Sequence, residues 1–330
     1  MRIVTFAATC LAAAAFALVP ARQGQAQQTK VLKFASIQAT GQPSYKGMQR
    51  MAEIIEKKTN GAYKLQLFAD SQLGTEQESV EGVQFGTIDM YMGSSGAVGR
   101  FLPSLEAFSA PFIWRDVDHM MKVVRGPIGD QLNQELVKKT GIRLLDMGWF
   151  FGARHIATKG VAVKTPADLK SRKIRMQPTT IYIEQMRAMG ANVQSLDWKE
   201  VYTSMQTGVI EGFDSPVNVL AARSMWEVLD NLSLTNHIMQ NMVVIINEGL
   251  FKSMTPEVQK IFIEAANEAG DYQTDLTVKG DDAALEQMKQ HKVNVITPDV
   301  AAFREVTKNV YKKFESKWSP NLYQRIVDTK

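Results

Sequence analysis

Residues Asp168 to Pro216 read DLKSRKIRMQPTTIYIEQMRAMGANVQSLDWKEVYTSMQTGVIEGFDSP, and the order of elements in this stretch decides how the chain folds. A short strand, Lys173-Ile174-Arg175-Met176, places an arginine between two apolar residues ahead of a helical segment. A second helix with the core Glu200-Val201-Tyr202 follows and closes on the turn Gln206-Thr207-Gly208. Short strands alternating with helices in this way favour α/β layers.

The same alternation extends in both directions. Val31 to Ser36 predicts a first strand, and Met48, Met51, Ala52 and Ile55 fall at the spacing of one helical face. Tyr63 to Phe68 alternates as a second strand, and Ile88 to Met92 predicts a third after a helix around Val80 and Val83. Ile142 to Met147 and Val243 to Ile246 read as buried strands. From Pro256 to about Gln290, Val258, Ile261, Phe262, Ala265, Ala266, Ala269, Tyr272 and Leu276 keep helical spacing. Thr255 suits the N-cap and Pro256 the first turn. Unbroken, this helix would approach ~50 Å, longer than one lobe, with Gly270 and Gly280 as points where it could bend. The predicted organisation is a first lobe over 27–150 with a return segment at about 240–280, and a second lobe over 151–239 with a C-terminal segment at about 281–330. Such recrossing makes a hinge rather than a linker.

Residues 1–26 have the anatomy of a secretory signal peptide. Met1 and Arg2 give a basic start, Ile3 to Val19 is apolar and Ala-rich, and Gly24 and Ala26 supply a small-residue cleavage site. Cys10 lies inside this segment, so the expected mature chain has no cysteine, which excludes disulfides, thiolate nucleophiles and cysteine-bound metals. The formal charge of +4 falls to about +2 without Arg2 and Arg22, too weak a bias to argue for nucleic acid. The expected product is a soluble periplasmic protein, and about 300 residues suffice to bury a core without covalent staples.

Taken together, these motifs resemble the DctP-like solute-binding subunits of TRAP (tripartite ATP-independent periplasmic) transporters. Ser71-Gln72-Leu73-Gly74 is similar to that family's SQLG turn, and Phe85 to Met90 to its LGTLDM stretch. Ala107 to Phe112 resembles FDLPF, Arg154 lies in a G-x-R-like element, and Thr165 to Lys170 reads TPADLK. With the KIR block and Leu234 to Ile238 (LTNHI), the similarity runs in order along nearly the whole mature chain. The resemblance implies a two-lobed periplasmic-binding-protein fold with a hinge cleft and a long helix straddling both lobes. It implies a non-enzymatic, monomeric receptor for a small organic acid, without cofactor or metal, that meets small and large integral-membrane TRAP subunits.

The resemblance also assigns roles. Arg175 becomes the main carboxylate anchor, because a guanidinium offers a rigid, permanently charged fork that matches two oxygens. Arg154 is a second cation, and Trp198, ahead of Glu200-Val201-Tyr202, an aromatic surface for the ligand's carbon skeleton. Many relatives read Gln-Glu-Asn-Pro where this chain has Phe213-Asp214-Ser215-Pro216. Ser215 offers one hydroxyl where they have an amide, which points to a less polar acid, aromatic or branched. The acid classes compatible with this reading are aromatic or other monocarboxylates, hydroxy or keto acids, and dicarboxylates. On the first lobe the candidates are Gln38, Glu76, Ser94 and Ser95, at strand carboxyl ends where open α/β sheets bind ligands, and Asn241. Two other readings compete. One is a binding protein for an ATP-driven importer or a sensor kinase, on a similar fold. The other is an exported hydrolase, against which Gly93-Ser94-Ser95-Gly96 is not a G-x-S-x-G turn and the four histidines show no metal-binding spacing.

Overall fold

The computed structural model describes residues 28–330, so the expected signal peptide lies outside the described residues. The sheet has nine strands among the described residues: β1 (Lys30–Ser36), β2 (Tyr63–Phe68), β3 (Met90–Ser94), β4 (Ile142–Thr158), β5 (Lys173–Met176), β6 (Asn192–Ser195), β7 (Gly212–Pro216), β8 (Asn231–Asn247) and β9 (Asn294–Ile296). Their order is β2-β1-β3-β8-β4-β7-β5-β6, with β9 paired to β8. β1 pairs parallel with β2 and β3 at one end, and β5 pairs parallel with β6 and β7 at the other. β4 and β8 run antiparallel between these two halves.

These two strands make the hinge. Each is 17 residues long, where the apolar runs at Ile142–Met147 and Val243–Ile246 predicted only their first-lobe parts. Their pairing shifts register four times, between Leu144 and Asp146, Asp146 and Trp149, Phe150 and Gly152, and Arg154 and Ile156. Bulges of this kind bend and twist a strand at the cost of ladder hydrogen bonds. Side chains replace the missing partners: Thr274 Oγ1 accepts from Phe150 N at 3.1 Å, Gln273 Nε2 donates to Phe150 O at 2.8 Å, and Asn218 Nδ2 donates to Phe151 O at 3.0 Å.

Gln273 and Thr274 belong to the helix Pro256–Gln290, which runs 35 residues without interruption, about 50 Å, past both halves of the sheet. Thr255 caps it through Val258 N at 3.3 Å. Gly270 does not interrupt it. A Cβ there would lie 2.7 Å from Trp149 Nε1, so the glycine leaves room for the indole, which donates to Ala266 O at 3.0 Å. The buried face begins apolar, with Phe262, Ala265, Ala266 and Ala269, and turns polar at Gln273 and Thr277 where it crosses the hinge; Tyr272, on the predicted apolar stripe, faces outward. Leu32, Phe34, Met48, Met51, Trp149 and Phe262 share one core with the helix Pro43–Lys58. Val201, Met205, Phe213, Leu220 and Met288 form another under the second half.

The C-terminal segment departs from the predicted division. Residues after 281 begin against the second half, with Ala284 and Met288 in its core. The end of the chain returns to the first half: Arg115 donates to Val327 O at 2.9 Å, and Ser319 N donates to Ser104 Oγ at 2.9 Å. Periodicity could not show this, because a short amphipathic helix such as Leu322–Asp328 carries no address for the surface it covers. No helix among the described residues is long and apolar enough to cross a membrane.

Candidate ligand-binding cleft

A cavity of about 140 Å³ lies between the two halves. Its walls are the carboxyl ends of parallel strands: Ile37 and Gln38 after β1, Glu76 after β2, Gln177 to Thr179 after β5, Asp197 and Trp198 after β6, and Ser215 at the end of β7. Phe151 and Arg154 of β4 and Gln240 and Met242 of β8 make its floor at the hinge.

Strand alternation aims Arg175. Ile174 and Met176 turn into the core, so the residue between them faces the opposite side of β5. Arg175 is 2% exposed, and among the described residues the one hydrogen bond of its guanidinium is from Nε to Leu196 O at 2.8 Å. Both terminal nitrogens are left for the cavity. Burial pushes its pKa down to about 10, against the raising effect of Asp214, so it stays cationic at neutral pH. Its guanidinium carbon lies 5.6 Å from the centre of the Trp198 ring. Trp198 is the first residue of a helix held by a reciprocal cap between Asp197 and Glu200, and it packs edge-on against Phe213. Glu200, singled out in the sequence, serves this cap, and Tyr202 hydrogen-bonds Glu227 outside the cavity at 2.6 Å.

Arg154 differs. It also lines the cavity, but most of its donors are spent on the protein. Nε and Nη2 grip Asp214 Oδ2 and Oδ1 at 2.5 and 2.6 Å, Nη2 also donates to Asp214 O at 2.7 Å, and Nη1 donates to Gln240 Oε1 at 2.6 Å. Four of the five guanidinium N–H groups are occupied, leaving one on Nη1. Asp214 is fully buried and also meets His237 Nε2 at 3.3 Å. Burial alone would raise its pKa; the Arg154 charge and hydrogen bonds reverse this and hold it well below the usual carboxylate range. Asp214 thus neutralises Arg154 from behind the cavity wall.

The first-lobe candidates divide. Gln38 and Glu76 line the cavity; Ser94, Ser95 and Asn241 do not. Ser94 Oγ caps the helix Ser95–Gly99 by accepting from Ala97 N at 3.1 Å. Ser95 Oγ donates to Asn241 Oδ1 at 2.9 Å, and Asn241 Nδ2 donates to Met147 O at 3.0 Å, a closed chain of bonds behind the wall. Glu76 Oε1 accepts from Ser94 N at 2.7 Å and Tyr91 OH at 3.3 Å. Burial raises its pKa, partly offset by these bonds and by Arg175.

Sequence reasoning passed over several lining residues. Gln177 stands two residues after Arg175, so the alternation that aims the arginine could have found it. Gln240 is buried on a strand that mixes polar and apolar residues throughout, so the sequence did not single it out. Arg100, which spans from Gln77 to Pro178 O across the cleft mouth, left no such trace. The amides of Gln38, Gln177 and Gln240 correct the expectation of a cavity poor in polar groups: Ser215 is small, and the polar atoms come from other strands. Among the described residues no cluster of His, Cys, Asp and Glu could hold a metal ion.

Known proteins share this architecture. The 2,3-diketo-L-gulonate-binding periplasmic protein YiaO of Escherichia coli is 36% identical over 262 residues, 79% of each chain. A TRAP periplasmic solute-binding protein of Pseudomonas putida F1, solved with bound D-glucuronate, superposes with a TM-score of 0.86 at 31% identity, over 91% of this chain and 98% of that one. Another from Xanthobacter autotrophicus Py2, with bound β-D-galacturonate, gives 0.85 at 30% identity, over 91% and 100%. With the model for bacterial extracellular solute-binding protein family 7 matching residues 34–317, the chain belongs to that family, the DctP group of TRAP solute-binding proteins.

Proposed function

We propose that this protein is a periplasmic receptor that captures a small hydroxylated monocarboxylic acid in its cleft and delivers it to an ion-gradient-driven TRAP carrier. The observation that carries this reading is Arg175: a buried, cationic guanidinium with one donor fixed to Leu196 and its terminal nitrogens facing the cavity. A planar fork held by its own Nε is ready to receive two carboxylate oxygens with little loss of side-chain freedom.

Charge balance favours a monoanion. Arg154 and Asp214 cancel each other, and the other charged residues of the lining, Arg100, Arg175 and Lys199 against Glu76 and Asp197, leave one net positive charge. A second carboxylate would approach Glu76 in a setting of low dielectric, whereas a hydroxyl would donate to it. The protein's hydrogen bonds to Glu76 converge on Oε1, leaving Oε2 as an acceptor. Gln38, Gln177 and Thr179 add groups suited to further hydroxyls, and Trp198 covers a carbon skeleton. Relatives named for diketogulonate or solved with glucuronate and galacturonate support the same class.

The test is a thermal-shift screen of residues 27–330 against hydroxylated monocarboxylates, dicarboxylates and aromatic acids, followed by titration of Arg175→Lys. A ligand that binds only the folded state raises the melting temperature. Lysine keeps the charge and loses the fork, so affinity should fall about tenfold or more, with the ligand-free melting temperature close to wild type. Equal affinity in the lysine variant removes Arg175 as anchor.

A further inference from the structure

Besides Arg100, a second guanidinium links the two lobes beside this cavity, apart from the carboxylate anchor. Arg223 follows the helix Val217–Ala222, where Val217 and Leu220 pack into the second-lobe core and Val219 packs toward the first. Its Nη2 donates to Ile37 O at 3.0 Å and to Asp70 Oδ1 at 2.8 Å, both on first-lobe loops. Those loops are themselves joined, Asp70 N to Gln38 O at 2.9 Å and Ser71 N to Ser36 O at 3.3 Å, so one nitrogen holds the loop pair that presents Ile37, Gln38 and Ser71 to the cavity. The Arg223 guanidinium carbon also lies 5.7 Å from the centre of the Trp198 ring, the same ring that Arg175 approaches.

We propose that Arg223 is a positioning residue that, beside the Arg100 contact at the mouth, helps hold the cleft closed by tying the Trp198 wall to the first-lobe loops through Ile37 and Asp70. The proposal rests on the solute-binding reading, since closure matters only for a receptor. Three features suit a reversible clasp. The Arg223–Asp70 pair is half open to water on the Asp70 side, which limits its strength. Arg223 Nε is buried without a protein acceptor, so the clasp carries the cost of one unsatisfied donor. A ligand seated against Arg175 and Trp198 adds contacts on the same ring, so occupancy and closure reinforce each other through the differential contacts that any such coupling requires.

Residues 27–330 contain no cysteine, so spin labels can be placed cleanly at Glu56→Cys and Gln206→Cys, exposed sites on opposite lobes. Pulsed electron-spin distance distributions are then recorded without ligand and with D-glucuronate. Wild type should show a closed population that is larger with D-glucuronate than without it. Arg223→Gln should lower the closed-to-open ratio about fivefold, the scale of a partly exposed ion pair. Asp70→Asn should do the same. Asn tolerates the left-handed backbone at that site, φ 51°, so its effect would not come from strain. Arg223→Lys keeps a charged donor within reach and should recover most of the closed form, an outcome a purely structural role would not give. Melting temperatures of the ligand-free variants should match wild type. An unchanged ratio in Arg223→Gln, or a wild type with no closed population, overturns the proposal. Failure of every acid to shift melting, with the ligand-free ratios as expected, overturns the receptor reading instead.

Discussion

The two walls of the cleft are built differently. The second-lobe wall presents an anchor fixed by the sheet: Arg175 sits on a strand paired on both sides, and Trp198 begins a capped helix. The first-lobe wall presents Gln38, on a loop whose place depends on turns such as Asp70-Ser71, both with left-handed backbones, and Glu76, the first residue of the capped helix Glu76–Phe85. A charged wall fixed by the sheet facing a polar wall built partly from loops divides the work: one holds the carboxylate and the other reads the rest of the ligand once the lobes meet. The floor between them, Arg154 with Asp214, is structural in its energetics although it touches the same cavity.

The largest effect should come from breaking that floor. Asp214→Asn leaves the fully buried Arg154 without its counter-charge, and removal of one partner of a buried pair costs about 3–5 kcal/mol. Denaturant unfolding should show this loss at pH 7, whereas Arg175→Lys leaves unfolding almost unchanged and weakens binding. The pH dependence has a defined sign. Asp214 has a folded pKa below its ordinary 3.8, so its stabilisation is complete above that value and is lost as pH falls through the lower folded pKa. The gap between wild type and Asp214→Asn should therefore narrow only in strong acid. Equal stability of the two at pH 7 would show that the pair is dispensable to the fold.

On the reading wall, Glu76→Gln replaces an acceptor-only carboxylate with an amide. Affinity for a hydroxylated monocarboxylate such as D-glucuronate should fall about tenfold, the scale of a hydrogen bond to a charged group. Affinity for succinate should rise, because the like charge is gone. Calorimetric titration of both acids checks this. A parallel loss for both would make Glu76 a general support of the cavity and erase the contrast between the walls.

How much of this was legible follows the same divide. The second-lobe wall could be read because its geometry is local: period-two alternation aims Arg175, and Trp198 stands directly before a helix marked by Asp197 and Glu200. The order of strands and the long helix were legible from apolar spacing, since each buried face repeats with its element. The first-lobe wall was read by motif position alone, which could not separate Glu76, which lines the cavity, from Ser94 and Ser95, whose hydroxyls serve a helix cap and Asn241. Nor could it show that Asp214 would occupy Arg154, because β4 and β7 are joined only by long-range pairing, Arg154 beside Pro216 and Ile156 beside Asp214. The hinge was hidden for a related reason. Apolar runs reveal where a strand is buried, and bulged segments satisfied by Gln273, Thr274 and Asn218 depend on side chains far along the chain.

The smallest effect separates hinge stability from both walls. Asp281, on the long helix, receives a hydrogen bond from Asn218 at 3.4 Å while Asn218 also holds Phe151 O at the bulged strand. Burial pushes its carboxyl up from 3.8 to about 6, with Asp282 adding to the rise and Asn218 opposing it. The native state therefore binds this proton more tightly than the unfolded chain, and stability falls as pH rises from about 3.8 to about 6, then stays level. Asp281→Asn removes the buried charge and retains a carbonyl acceptor for Asn218. Its melting temperature should exceed wild type by about 3 °C at pH 7.5 and match it below pH 4, where both side chains are neutral. Ligand affinity should not change, because Asp281 is absent from the cavity lining. A gain that persists in acid would have to arise from packing rather than charge, and a change in affinity would mean that the helix at Asp281 moves with the cleft.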